Sequence, residues 1–254
     1  MLPVLLLGAA LAATDASFKA SDGVQLHARV DVPKGSTKGV VFLHMLGRDA
    51  TDFDSLADKL AKGGMATVAP DLRGHGRSAK AGQELSELDY LAMVLDGKAA
   101  VKYLRDRGVT ELSCVGASIG ANLCLTVAAE EPALGNVVML SPSLNTKGIQ
   151  TPGPLKAFGN RPLLIVAAED DATSMKASTL LHEKALGQVH YELYPQAGHG
   201  TRMLNRVGAL EGLIQSWLLG TYQLSSGEVV VPKPGMQVDA STIQTEGQKL
   251  SSHE

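Results

Sequence analysis

The chain has 254 residues, 44% of them hydrophobic and 19% charged, with a formal net charge of −3. That composition is globular and leaves room for one sizeable core, so a single α/β domain is the expectation at this length. The near-neutral balance and an aromatic content of only 4% argue against a nucleic-acid surface or an aromatic stacking platform.

The N-terminus runs from Met1 to Thr14 with no charged side chain before Asp15. It is too short to span a bilayer as an ordinary helix. It fits the apolar region of a secretory signal over residues 1–14, with Ala10-Leu11-Ala12 as an A-x-A cleavage candidate, although no Lys or Arg precedes it. Export to a periplasmic or extracellular space is therefore expected. A mis-assigned start or a buried N-terminal helix, in a cytoplasmic protein, is the alternative. No cysteine follows the apolar run, so no lipid anchor and no stable membrane attachment are expected.

A globular domain is expected over residues 15–220. Residues 17–33 alternate apolar and polar side chains (Val24, Leu26 and Ala28 against Gln25, His27 and Arg29) and predict two half-buried antiparallel strands. Gly39 to Leu43 is a solid apolar run, the mark of a strand covered on both faces. A helix follows from about Thr51, with Phe53, Leu56, Ala57 and Leu60 on one face, ending at Gly63-Gly64. Ala66 to Ala69 is the next strand, and Leu88 to Arg107 a long helix. Glu111 to Val115 leads as a strand into a helix of small residues. Further strands are predicted at Val137–Leu140, Pro162–Ala168 and His190–Tyr194. Helices are predicted over Ser174–Leu186 and continuously through Leu204, Val207, Leu210, Ile214 and Trp217. Strands alternating with helices imply a mostly parallel sheet covered on both faces. Residues 221–254 hold one short apolar run, Val229 to Val231, then prolines and polar residues, and read as a loosely attached tail.

Cys114 and Cys124, the two cysteines, form neither a disulfide framework nor a zinc motif. Cys114 is expected roughly 13 Å below the strand–helix turn at ~3.3 Å per residue. Cys124 is expected roughly 9 Å down the returning helix at ~1.5 Å per residue. With helix and sheet about 10 Å apart, this spacing exceeds the ~7 Å limit for a bridge, so both read as small buried hydrophobes.

The chemistry gathers in five places. Gly116-Ala117-Ser118-Ile119-Gly120 puts a serine at a sharp turn between strand and helix, where its backbone is strained and its hydroxyl exposed. His44-Met45-Leu46-Gly47 follows one buried strand and the run from Asp71 to Ser78 the next. Ala168-Glu169-Asp170-Asp171 and Gly198-His199-Gly200 follow the last two strands. These motifs, in this order, resemble the α/β-hydrolase superfamily over roughly residues 20–220, and most nearly a compact serine esterase or a dienelactone-hydrolase-like member. The resemblance implies an α/β-hydrolase fold, with a mostly parallel central sheet of about eight strands and helices on both faces. The segment 143–161 is short for a helical lid, so no sizeable cap domain and an open mouth are expected.

The resemblance also implies roles. Ser118 is the expected nucleophile, a weak one that needs a base. His199 is that base, since its ordinary pKa lies near neutrality. Of the other six histidines, His27, His182, His190 and His253 have no matching context, while His44 and His75 sit in separate motif loops; the superfamily uses the position of His75 structurally and that of His44 to shape the oxyanion loop. The acid belongs at the fourth place of G-x-x-D, which favours Asp171 over Asp170, although Ala168 replaces the glycine. The residue not chosen is expected to be solvated or to cap a helix. Backbone N–H groups of Met45 and Ile119 are expected to form the oxyanion hole. Arg48 and Asp49 read equally as a salt-linked loop or as a substrate contact, and Arg73 to Arg77 as a tight structural turn rather than an anion site. No metal-ligand motif or phosphate loop is present, so no metal and no cofactor are expected. The expected partner is a small-molecule ester, cleaved as a carboxylic ester or thioester. A serine peptidase or acyltransferase with the same triad, or an inactive binding protein, is the alternative.

Overall fold

The computed structural model describes residues 13–80 and 84–222. Of the leader expected over residues 1–14 and the tail expected over residues 221–254, residues 1–12 and 223–254 lie outside the described residues.

Two antiparallel strands, β1 (Thr14–Lys19) and β2 (Gln25–Asp31), open the domain. Leu26, Ala28 and Val30 turn inward from β2 as the alternation requires. Next come β3 (Lys38–Leu43), a short 3₁₀ turn at Ala50–Phe53, α1 (Asp54–Lys62), β4 (Ala66–Pro70) and α2 (Glu87–Arg105). A reciprocal capping box between Ser86 and Asp89 starts α2. β5 (Glu111–Ala117), α3 (Ile119–Glu130) and β6 (Leu134–Leu140) follow. After them the chain forms a hairpin of β7 (Asn145–Thr146) and β8 (Ile149–Gln150), then α4 (Pro152–Phe158). β9 (Leu163–Ala168), α5 (Ala172–Lys184), β10 (Val189–Tyr194), α6 (Arg202–Arg206) and α7 (Leu210–Leu219) complete it.

Eight strands form one sheet in the order β1-β2-β4-β3-β5-β6-β9-β10. β2 pairs antiparallel with both neighbours, and the strands from β4 to β10 run parallel. The expected fold is borne out. One apolar layer packs α2, α3, α4 and α5 against one face, through side chains such as Met93, Leu104, Leu123, Phe158 and Leu181. A second packs α1, α6 and α7 against the other, through Phe53, Leu60, Met203, Ile214 and Trp217. Among the described residues no helix is long and apolar enough to cross a membrane.

Two expectations need correction. The helix predicted through Leu204 and Trp217 is two helices, α6 and α7, interrupted at 207–209, where Val207 is extended; Gly208 in that gap is a poor helix former. The segment after β6 holds only the β7–β8 hairpin and α4, with no sizeable cap domain, as expected. Its hairpin is pinned to α3 by the buried Asn122, whose amide donates to Ser143 Oγ and Ile149 O and accepts from Ser143 N. Finally, Cys114 and Cys124 form a disulfide, with Cα atoms 5.6 Å apart. The earlier spacing treated helix and strand as axes and ignored that a Cα on the facing side of a helix lies ~2.3 Å nearer its neighbour. It also ignored how close the turn draws them. A Cβ at Gly116 would overlap the Gly120 carbonyl, and one at Gly120 would overlap the Leu43 carbonyl. Glycine at both places lets α3 sit directly on β3 and β5.

Candidate active site

Parallel strands end at one edge of the sheet: Leu43 is level with Gly116, Ala117 with Leu140, and Leu140 with Val166. The loops leaving those ends carry the candidate side chains, as open α/β sheets place their ligand sites. Ser118 sits between β5 and α3 with φ 55° and ψ −119°, a conformation an L-residue keeps only where surroundings impose it. Its N–H donates to Leu140 O at 2.9 Å, and its carbonyl accepts from Ala121 and Asn122. Strand and helix thus hold the turn from both sides and leave the side chain partly exposed.

Asp171 caps α5, accepting from Ser174 N at 3.3 Å, and its Oδ2 meets His199 Nδ1 at 2.6 Å. Burial raises the Asp171 pKa, but the hydrogen bonds from His199 and Ser174 outweigh it and hold the carboxyl below its ordinary value. An ionised carboxylate only accepts, so Nδ1 carries the proton of this bond. The ring is left 37% exposed while the carboxylate is only 14% exposed. Ser174 Oγ lies 3.4 Å from Nδ1 and donates to Ser141 O at 3.4 Å. Among the described residues no hydrogen bond joins Ser118 to the ring. The two loops nevertheless meet, since Gly200 packs against Ala117 and Met45.

The histidine loop is held from three sides by residues the sequence did not single out for this task. Asp170, expected to be solvated or a helix cap, is exposed to solvent and also accepts from Ala197 N at 3.2 Å and Gly198 N at 3.0 Å; Asp171 itself takes the cap. Ser141, buried and at φ 51°, accepts from Gly200 N at 2.9 Å. Thr201 donates to Asp52 and lies 3.4 Å from Met45 Sδ. Ser141-Pro142-Ser143 directly after a strand was the signal for a special turn. Nothing local signalled Thr201 or Asp52.

The expected oxyanion residues lie at the same rim. Ile119 is the first residue of α3, where an amide N–H has no acceptor within its own helix. Met45 follows β3, whose end touches the start of α3 at Gly120. His44 fixes this loop. Its Nε2 accepts from Leu72 N and its Nδ1 donates to Met45 O, both at 2.9 Å. Burial drives the His44 pKa down from 6.5 to about 4, so the ring is neutral, as accepting at Nε2 demands. Arg48 forms a fork with Asp52, at 2.9 and 3.0 Å from Nε, which favours the salt-linked reading. Arg73 is fully engaged by Asp96 and Asp22, the structural turn expected. Among the described residues no three His, Cys, Asp or Glu side chains gather as a metal site requires.

A family model described as "Serine aminopeptidase, S33" matches residues 35–161, a span that holds Met45, Ser118 and Ile119 but not Asp171 or His199. The chain is 31% identical over 122 residues to a serine hydrolase-like protein of Dictyostelium discoideum, covering 47% of this chain and 32% of that protein. It is 26% identical over 201 residues to a monoglyceride lipase of Rattus norvegicus, covering 75% and 65%. The chain thus spans less than two thirds of the length of either relative. Among solved structures, an esterase of Pyrococcus furiosus superposes with a TM-score of 0.67 at 18% identity, over 82% of this chain and 92% of that one. A dienelactone hydrolase of Anabaena variabilis gives 0.65 at 19% identity, over 84% and 100%. Likeness at these identities is likeness of fold.

Proposed function

Since the chain belongs to the serine aminopeptidase S33 family of α/β-hydrolases, we propose that it is a serine hydrolase cleaving carboxylic esters or thioesters through Ser118, His199 and Asp171. The observation that carries this reading is the His199–Asp171 bond of 2.6 Å on a loop packed against the strained turn at Ser118. Ser118 Oγ attacks the acyl carbon while its proton passes to His199 Nε2. Asp171 holds the ring in the required tautomer and stabilises its charged form. The tetrahedral oxyanion is held by the Met45 and Ile119 amides. Collapse expels the alcohol or thiol, which takes the proton from Nε2. Water then gives a proton to Nε2 and its oxygen to the acyl carbon, releasing the acid and restoring Ser118.

Peptidase chemistry is the second reading, favoured by the description of the family model. A fluorophosphonate probe decides whether there is a nucleophile: wild type labels and Ser118→Ala does not, whereas equal labelling removes Ser118 from the role. Comparing p-nitrophenyl esters with aminoacyl amides then separates esterase from peptidase. An acyltransferase would reveal itself by transfer to an added alcohol in preference to water.

Export remains part of this proposal. A buried disulfide within β5 and α3 supports it, because such bonds form and persist in oxidising compartments.

A further inference from the structure

A cavity of about 390 Å³ opens between α4 and α5. Leu180 and Lys184 on its wall lie 9 and 13 residues beyond Asp171, roughly 14–20 Å along α5 at ~1.5 Å per residue, and although Leu144 follows Ser141 by three residues, none of Ser118, Asp171 and His199 lines it. Its wall is apolar, formed by Leu144, Leu155, Leu180 and Leu186. Leu144, Leu180 and Leu186 are 38%, 40% and 55% exposed, and they make up three of the six large apolar side chains left exposed among the described residues. Such side chains scattered singly need no explanation, but gathered around one concavity they mark a binding surface.

The same cavity is lined by Lys156 and Lys184, in the last turns of α4 and α5. Neither forms an ion pair among the described residues. A cation in a last turn suits the helix dipole. That accounts for the charges, but not for the uncovered leucines beside them. Two ammonium groups beside an apolar trough fit a ligand with one anionic head and one aliphatic tail. The volume lies at the small end for ligand cavities, which suits a single chain rather than a diacyl lipid.

We propose that the α4–α5 groove binds a single-chain aliphatic carboxylate, its tail on the leucines and its head between Lys156 and Lys184. The site is independent of the hydrolytic chemistry and is tested without it. Dodecanoate, below its micelle concentration, is titrated calorimetrically into full-length Ser118→Ala protein. The expected result is saturable binding of one molecule per chain. The affinity falls at least tenfold in a Lys156→Glu/Lys184→Glu variant, whose changes are both exposed and leave the fold intact by circular dichroism. Dodecyltrimethylammonium, with the same tail and opposite charge, does not bind the parent protein. Absence of saturation overturns the proposal, as does unchanged affinity after the lysine reversal or equal binding of the cationic amphiphile. Competition by a fluorophosphonate that caps Ser118 in wild type would move the ligand to the catalytic cleft and likewise overturn it. So would sedimentation showing a dimer that both substitutions break, because a second copy would then occupy the groove.

Discussion

Two adjacent carboxylates divide the work around His199. Asp171 accepts from the ring, whereas Asp170 accepts from the backbone of the loop that carries it. Asp171→Asn is expected to lower kcat by about 10³–10⁴, because an amide can stabilise the wrong tautomer and cannot balance the imidazolium. Asp170→Asn keeps a carbonyl acceptor and is expected to retain most activity. Asp170→Ala loses the anchor and about 1 kcal/mol of stability, a small sum because the carboxylate is exposed and its bonds are screened by solvent, read by urea unfolding. Asp171 has a depressed folded pKa, so its contribution to stability is present above its unfolded pKa and lost as pH falls through the folded one. His44 also has a depressed folded pKa, but as a base. Below its unfolded value folding must strip a proton from the ring, so stability is full above pH 6.5 and declines as pH falls towards about 4, by about 3 kcal/mol in all. An NMR titration should find the His44 ring still neutral at pH 5; protonation near 6.5 would refute the buried, accepting role. That Ser118 and His199 sit on turns beyond strand ends was legible because glycines frame them. The part played by Asp170 was not, because a carboxylate bonding to backbone 27 residues away has no local pattern.

The turn at Ser118 joins its strand and helix more closely than generic packing distances allow, and that closeness explains both the success and the failure of sequence reasoning there. The glycine spacing at Gly116 and Gly120 announced the turn. The same contact brings Cys114 and Cys124 within bonding range, which an average helix–sheet separation hid. Their separation of 10 residues closes a short loop, so a Cys114→Ala/Cys124→Ala variant is expected to lose about 2–3 kcal/mol, measured by denaturant unfolding against wild type without reductant. Identical stability would mean that the cross-link contributes nothing. Gly120→Ala should be worse, since its methyl group would overlap the Leu43 carbonyl; loss of soluble, folded protein is the expected readout.

Across the whole domain, alternating apolar runs made the sheet and its two covering layers predictable, because burial on both faces leaves a continuous signature in each central strand. What could not be read was how loops from distant parts of the chain brace one another, since that depends on the finished sheet edge. The two layers share that sheet, so they should unfold together. Trp217, the only tryptophan, lies in the layer opposite α3 and donates to Asn136 at 2.8 Å. Its fluorescence is expected to change at the same urea concentration as far-ultraviolet circular dichroism; separate midpoints would reveal independent subdomains. The bracing at the rim has a kinetic corollary. With Asp170 and Ser141 fastening the backbone around His199, and Asp52 the hydroxyl of Thr201 beyond it, the imidazole retains little freedom except rotation about its own side-chain bonds. Such rotation takes picoseconds to nanoseconds, far quicker than turnover, so thickening the medium with glycerol would leave the acylation rate untouched.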